Sequence, residues 1–353
     1  MNIAITKTGA PKQKPAEDGL GFGQYFSDHM FLMDYDAEKG WHDARIVPHG
    51  PLSLDPAAMC LHYGQELFEG LKAYRGVDGK VRLFRYKDNI RRFNRSCERL
   101  DVPVVGEDVF REAMLALLRV EADWVPHSPE TSLYIRPYLI ATDPYIGVRS
   151  SRSYLFILLL SPVGAYYKGG LAPTKIYVET EDVRAVRGGM GNVKVAANYA
   201  ATIRAQTRAE GKGFSQVMWL DALERKYVEE VGTSNAFFVI DGGVVTPPIG
   251  TILPGITRDS CLRLLREWGI PTEERQISID EVWQAHADGK LEEAFATGTA
   301  AVVSPVGVFC YKDRTITVAG NQVGPLARRL YDALTGIQWG RVPDTMGWTE
   351  VIG

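Results

Sequence analysis

A lysine stands at position 194 in Arg187-Gly-Gly-Met-Gly-Asn-Val-Lys-Val-Ala-Ala-Asn-Tyr199, flanked by Val193 and Val195 and followed by Ala196 and Ala197. An amine desolvated among such neighbours has a lowered pKa and becomes a nucleophile that can condense with a carbonyl. The competing reading is a glycine-rich surface loop that carries a solvated lysine. A P-loop is excluded, because Lys194 does not follow a glycine and Val195 stands where Ser or Thr is needed. Two adjacent acids, Glu229 and Glu230, lie in Tyr227-Val-Glu-Glu-Val-Gly-Thr-Ser-Asn235. Successive strand residues point to opposite faces, so a strand packed on one face turns one carboxylate inward, where it needs a cationic partner. A strand wet on both faces is the alternative. Further on, Ile252-Leu-Pro-Gly-Ile-Thr-Arg258 delivers the chain into a helix. Free N–H groups and the positive dipole end make a helix start a phosphate site, although every helix has one.

The elements that must position these groups read as a mixed α/β chain. Val81–Arg85 alternates as a strand, and Asp88 is expected to cap a helix whose Ile90, Phe93, Cys97 and Leu100 recur at helical spacing. A second helix is expected near 107–121, with strands at 132–140 and 153–160. The segment 161–173 holds three glycines and two prolines and reads as the interdomain loop. Beyond it come strands at 174–180, 215–220, 226–231 and 235–240, and helices near 196–210, 257–268, 279–287 and 323–335. In the helix at 257–268, Cys261, Leu264, Leu265 and Trp268 form the apolar stripe, closed by Gly269 and Pro271. The expected organisation is a loose arm over 1–19, a small N-terminal α/β domain over 20–161, the loop 162–173 and a larger C-terminal domain over 174–353.

Composition narrows the function classes. The chain has 353 residues, 45% apolar, and its 40 basic and 43 acidic side chains give a net charge of −3. That balance favours small-molecule ligands or like subunits over nucleic acid or an anionic membrane. Four scattered cysteines without a C-x-x-C pair fit a reducing compartment, and six histidines without H-x-x-x-H spacing give a metal no support. Residues 154–160 form an apolar run far shorter than the ~20 residues of a membrane span. The N-terminus lacks the apolar core of a secretory signal and the arginine and serine of a transit peptide, so a cytoplasmic location is expected.

A lysine for an aldehyde, an inward carboxylate for a positive ring nitrogen and a helix end for a phosphate match the three handles of pyridoxal phosphate. Phe22-Gly-Gln-Tyr-Phe-Ser-Asp-His-Met30, His62-Tyr-Gly-Gln-Glu-Leu-Phe-Glu-Gly-Leu-Lys-Ala-Tyr74, Tyr134-Ile-Arg-Pro137, the Lys194 segment, Glu230-Val-Gly-Thr-Ser-Asn235, Leu253-Pro-Gly-Ile-Thr-Arg258 and Gly298-Thr-Ala300 occur in that order. From about residue 20 onward the chain resembles the branched-chain amino-acid aminotransferases of fold type IV. The resemblance implies a two-domain pyridoxal-phosphate enzyme with a β-barrel-like core in its larger domain. It also implies transamination of Leu, Ile and Val with 2-oxoglutarate, by a ping-pong route through a Lys194 Schiff base and pyridoxamine phosphate.

The same resemblance assigns residues. Lys194 is similar to the Schiff-base lysine that shuttles the proton between the amino-acid Cα and the cofactor C4′. Glu230 looks like the partner of the pyridine nitrogen, and Tyr199 like the donor to the phenolate oxygen. Arg92, Ile256, Thr257, Thr233 and Thr299 complete the cofactor contacts. Arg91, Arg92, Arg95 and Arg99 share one helix, and spacing alone cannot single out Arg92 from a solvated basic face. The substrate side takes Phe22, Tyr63, Tyr134, Arg136, Tyr166, Thr233, Thr299 and Ala300, with Ile146 and Val148 lent by the second subunit of a homodimer. Arg136 is the expected donor to the distal carboxylate of glutamate, and a structural ion pair is its alternative role. Ala301 and Ser304 stand where some animal members carry a redox-sensitive cysteine pair, and Val193 where the family often has an aromatic. Two other readings compete: a D-amino-acid aminotransferase or aminodeoxychorismate lyase on the same fold, and a non-catalytic cofactor-binding protein. Activity on L-leucine against D-alanine separates the first of these.

Overall fold

The computed structural model describes residues 1–164 and 170–352. They divide into two compact units, one of Met1–Tyr166, Lys194–Ala196 and Gly336–Gly353, the other of Tyr167–Val193 and Ala197–Thr335.

The first unit is built on a nine-stranded sheet. Long apolar strands at Ser153–Val163 and Ser132–Ala141 pair antiparallel at its centre, with His29–Asp36 and Gly40–Pro48 beyond the one and Leu71–Arg75 and Val81–Phe84 beyond the other. Two helices, Tyr86–Arg99 and Glu107–Val120, bury Ile90, Phe93 and Phe110. The rings of Phe93, Phe110 and Phe156 pack with centroids 4.9 to 5.5 Å apart. The first of these helices begins at Tyr86, and Asp88 is not its cap. Arg85, in the left-handed region at φ 49, starts the helix, and its Nε donates to Asp88 inside the first turn at 2.8 Å.

Both chain termini enter this sheet. Ala4–Ile5 pairs parallel with Arg45–Ile46, and the backbone N–H of Lys12 donates to Asp28 at 2.8 Å, so the segment expected as a loose arm is tied down. At the other end Thr349–Ile352 pairs antiparallel with Val81–Phe84. Residues 336–353, expected within the C-terminal domain, therefore belong to the unit that begins at Met1.

In the second unit six strands close into a barrel: Thr174–Val178, Gln216–Leu220, Val228–Val231, Ser234–Ile240, Leu291–Gly298 and Val302–Tyr311. The ring closes because Val228–Val231 pairs with Gln216–Leu220 on one side and with Ser234–Ile240 on the other. Ile176, Met218, Phe238 and Phe309 are among the buried residues of its core. The fold is thus the mixed α/β architecture with a barrel core that the sequence led us to expect.

The helix expected over 196–210 is two, Ala196–Ala200 and Ile203–Gly211. Between them the Thr202 hydroxyl donates to the Tyr199 carbonyl at 2.7 Å, offering the backbone a local partner that competes with the helical ladder. Helix Ile256–Glu267 matches its expected range to within a residue, and Gly269 beyond it takes φ 68. Among the described residues no helix is long and apolar enough to cross a membrane, and no cluster of His, Cys, Asp and Glu could hold a metal ion.

Candidate active site

In the first unit the Lys194 backbone is held on both sides. Its N–H donates to Ser96 Oγ at 3.0 Å, and its carbonyl accepts from the Phe68 N–H at 3.0 Å. The side chain is half-buried, with Nζ 4.7 Å from the centroid of the Phe68 ring. The Arg136 guanidinium lies 4.6 Å from the same centroid. Arg136 also donates to the Tyr134 hydroxyl at 3.1 Å, and Phe22 meets Tyr134 edge-on with centroids 4.9 Å apart. Gly70 is required here, since a Cβ on it would stand 1.8 Å from the Tyr134 hydroxyl. No carboxylate among the described residues pairs with Arg136, and its buried Nε has no hydrogen-bond partner, which weighs against the structural ion pair.

Burial distinguishes Arg92. It is 4% exposed, whereas Arg91, Arg95 and Arg99 are exposed. Glu69, which the sequence reading missed, grips it at two points: Arg92 Nε stands 2.6 Å from Oε1 and Nη2 3.0 Å from Oε2. The Asn89 amide and the Gly70 N–H also donate to Glu69 Oε2. Burial pushes the Glu69 carboxyl up, but the Arg92 guanidinium, helped by Lys194 and Asn89, outweighs it and holds the carboxyl below its ordinary range. This pairing contributes stability that is full above the ordinary glutamate pKa of about 4.3 and is lost as pH falls through the depressed folded value. Glu69→Ala leaves a buried, uncompensated guanidinium and is expected to cost about 3–5 kcal/mol in chemical denaturation at neutral pH. A loss under ~1 kcal/mol would show that the pair is not what holds Arg92.

In the second unit Glu230 lies on a central barrel strand, not on one wet on both faces. Glu229 and Glu230 are both buried, 5% and 2% exposed. A cation that the sequence reading did not name stands beside Glu230: Arg184 Nε is 2.8 Å from Glu230 Oε2. The Asn235 amide donates to Glu230 Oε1 at 3.1 Å and to the Leu253 carbonyl at 3.0 Å, tying the carboxylate to the segment that leads into helix Ile256–Glu267. Glu230, Arg184, Tyr199, Thr233 and Val193 line one small cavity. Helix Ile256–Glu267 starts at Gly255 without a side-chain cap, and Thr257 in its first turn is buried. Arg258 turns away to the Pro247 carbonyl and Glu274.

Thr299 and Ala300 form the turn between the last two barrel strands. Just after it Val302 takes φ 62, a strained conformation for a β-branched residue and of a kind that persists where the surroundings demand it. Tyr63, Ile146 and Val148 are exposed, the last two at 67% and 84%, and the Tyr63 hydroxyl donates to the Ile146 carbonyl. Tyr166 lies outside the described residues. The first unit therefore gathers Lys194, Arg92, Tyr134, Arg136 and Phe22, and the second gathers Glu230, Tyr199 and Thr233.

Comparison with known proteins identifies the family. Residues 66–308 match the amino-transferase class IV family. The chain is 54% identical over 353 residues to branched-chain-amino-acid aminotransferase 2 of Bacillus subtilis, covering 100% of this chain and 97% of that one. Among solved structures it is similar to the Escherichia coli branched-chain amino acid aminotransferase, with a TM-score of 0.77 and 26% identity over 92% of this chain and 99% of that one. The T.th. branched-chain amino acid aminotransferase complexed with N-(5'-phosphopyridoxyl)-L-glutamate matches with a TM-score of 0.73 and 25% identity, covering 92% and 98%. With a class IV match over most of its length and a full-length relative at that identity, this chain belongs to the branched-chain amino-acid aminotransferase family.

Proposed function

We propose that this aminotransferase exchanges amino groups between Leu, Ile or Val and 2-oxoglutarate on pyridoxal phosphate held at Lys194. The observation that carries the reading is the Phe68 ring, which has the Lys194 amine 4.7 Å from its centroid and the Arg136 guanidinium 4.6 Å from it. An amine for an aldehyde and a guanidinium for a second carboxylate thus share one aromatic support. The residues present fit the cofactor. Glu230 is a buried carboxylate on a cavity wall with Tyr199 beside it, suited to a protonated ring nitrogen and a phenolate oxygen. Arg92 in the first unit, and in the second Ile256 and Thr257 at a helix start and Thr299 at a turn, are each the kind of donor that suits phosphate. When bound, pyridoxal phosphate supplies an electron sink that makes the amino-acid Cα–H acidic.

The protein supplies the rest. Lys194 Nζ would take the proton from the amino-acid Cα and deliver it to the cofactor C4′, and its anchored backbone keeps that nitrogen in place. Glu230 stabilises positive charge at the ring nitrogen in a site from which water is excluded. Phe22, Tyr63 and Tyr134 offer aromatic surface for an aliphatic side chain, worth roughly 0.8 kcal/mol for each methylene buried. Thr233 and Ala300, in the second unit, are the further substrate contacts of this reading. Glutamate, part of the ligand in the T.th. complex, brings a distal carboxylate, which Arg136 with the Tyr134 hydroxyl receives.

Ile146 and Val148, two apolar side chains carried far into solvent, suit a loop lent to the site of a second copy. Arg136→Ala should raise KM for glutamate at least about tenfold while changing leucine turnover little, since one charge-assisted hydrogen bond is worth ~1.5–3 kcal/mol. Equal losses on both substrates would reject the selectivity role. The same preparation should scatter light as two chains per particle, and a monomer would remove the lent loop.

A further inference from the structure

Glu230 has a buried neighbour of its own kind for which the proposed chemistry has no use. Glu229 and Glu230 leave strand Val228–Val231 on opposite faces, yet both are inside the protein. One guanidinium stands near the two of them. Arg184 places Nε 2.8 Å from Glu230, while its Nη2 donates to the Thr251 carbonyl at 2.7 Å and to the Gly191 carbonyl at 3.3 Å. Glu229 is linked to that guanidinium through one residue: the Thr251 hydroxyl is hydrogen-bonded to Glu229 Oε1. Its other oxygen, Oε2, is buried without a hydrogen-bond partner.

Thr251 is therefore gripped at both ends, its hydroxyl by Glu229 and its carbonyl by Arg184. The side-chain bond to Glu229 is one of the ties on the residue whose carbonyl Arg184 rests on, so losing it leaves that carbonyl, and the cation that faces Glu230, less firmly held. Resting on the reading of Glu230 as the partner of the ring nitrogen, we propose that Glu229 is a positioning residue for this site, fixing Arg184 and hence Glu230 through Thr251. Burial pushes the Glu229 carboxyl up, with Asp221 adding to the push, and this outweighs the opposing Thr251 hydrogen bond and Arg184 charge.

The test uses cofactor-loaded full-length protein and reads the pH titration of the bound cofactor's visible band, the cofactor Kd and Tm. Glu229→Ala should move the titration midpoint by about one pH unit and weaken cofactor binding about tenfold, the equivalent change in binding. Glu229→Gln, which keeps the shape and the hydrogen bond without charge, should restore both readouts. Thr251→Val should reproduce the Ala phenotype and Thr251→Ser should not, which keeps the test open should Glu229→Ala fail to fold. A lowered Tm with an unmoved midpoint and Kd in Glu229→Ala or Thr251→Val would make Glu229 merely structural and overturn the proposal. Loss in Glu229→Gln equal to that in Glu229→Ala would show that the Thr251 hydrogen bond does not carry the effect and would overturn the proposal. An unmoved midpoint in Glu230→Gln would instead sink the reading of Glu230 itself.

Discussion

Lys194→Ala should abolish turnover, lowering kcat by at least about 10⁴-fold, because it removes both the amine that holds the cofactor and the group that moves the Cα proton. Borohydride reduction of the loaded parent protein, followed by peptide mass mapping, should place a pyridoxyl group on Lys194, and the variant should carry none. The fold should tolerate the change. What anchors this segment is the Lys194 backbone, through Ser96 Oγ and the Phe68 N–H, and those bonds do not involve the side chain. Tm is accordingly expected to stay within about 3 °C of the parent. An adduct on any other lysine, or substantial turnover in the variant, would end the assignment.

Glu230→Gln should lower kcat by about 10²–10³-fold with the cofactor still bound, as expected when one preorganised charge in a dry site is lost. It should also be destabilising, because Arg184 would then face a neutral amide in a buried site, a loss of up to ~3–5 kcal/mol. The two effects can be separated. Arg184→Met added to Glu230→Gln removes the stranded cation with a side chain of similar length, and should return much of the stability without returning turnover. If the double variant regained turnover as well, the catalytic loss in Glu230→Gln would have been a folding defect, and the charge role of Glu230 would fall.

The carboxylate and the lysine differ in how their surroundings could be read. Lys194 announces itself locally, through valines on both sides and alanines after it. Helix Ile256–Glu267 is equally local: its buried Cys261, Leu264 and Leu265 recur at a fixed period and Gly269 ends it, so its range needed no tertiary information. The alternation argument at Glu229 and Glu230 went only halfway. It required one inward carboxylate, whereas closure of the barrel covers both faces of Val228–Val231, and closure joins strands that are remote in the chain.

The amino-acid order by itself determined several of the elements, the candidate lysine and the need for a cation beside an inward glutamate, because these follow from neighbours a few residues apart. Only the tertiary structure showed that a protein cation, Arg184, stands there too. Arg184 is no more conspicuous in sequence than Arg187 or Arg204, and it matters because the chain brings it to Glu230. Arg92 stands out from three arginines on its helix for the same reason: Glu69, on a separate stretch of chain, meets it in the interior. Burial and ion pairing depend on what arrives from elsewhere in the fold, and periodicity along one segment carries no record of that.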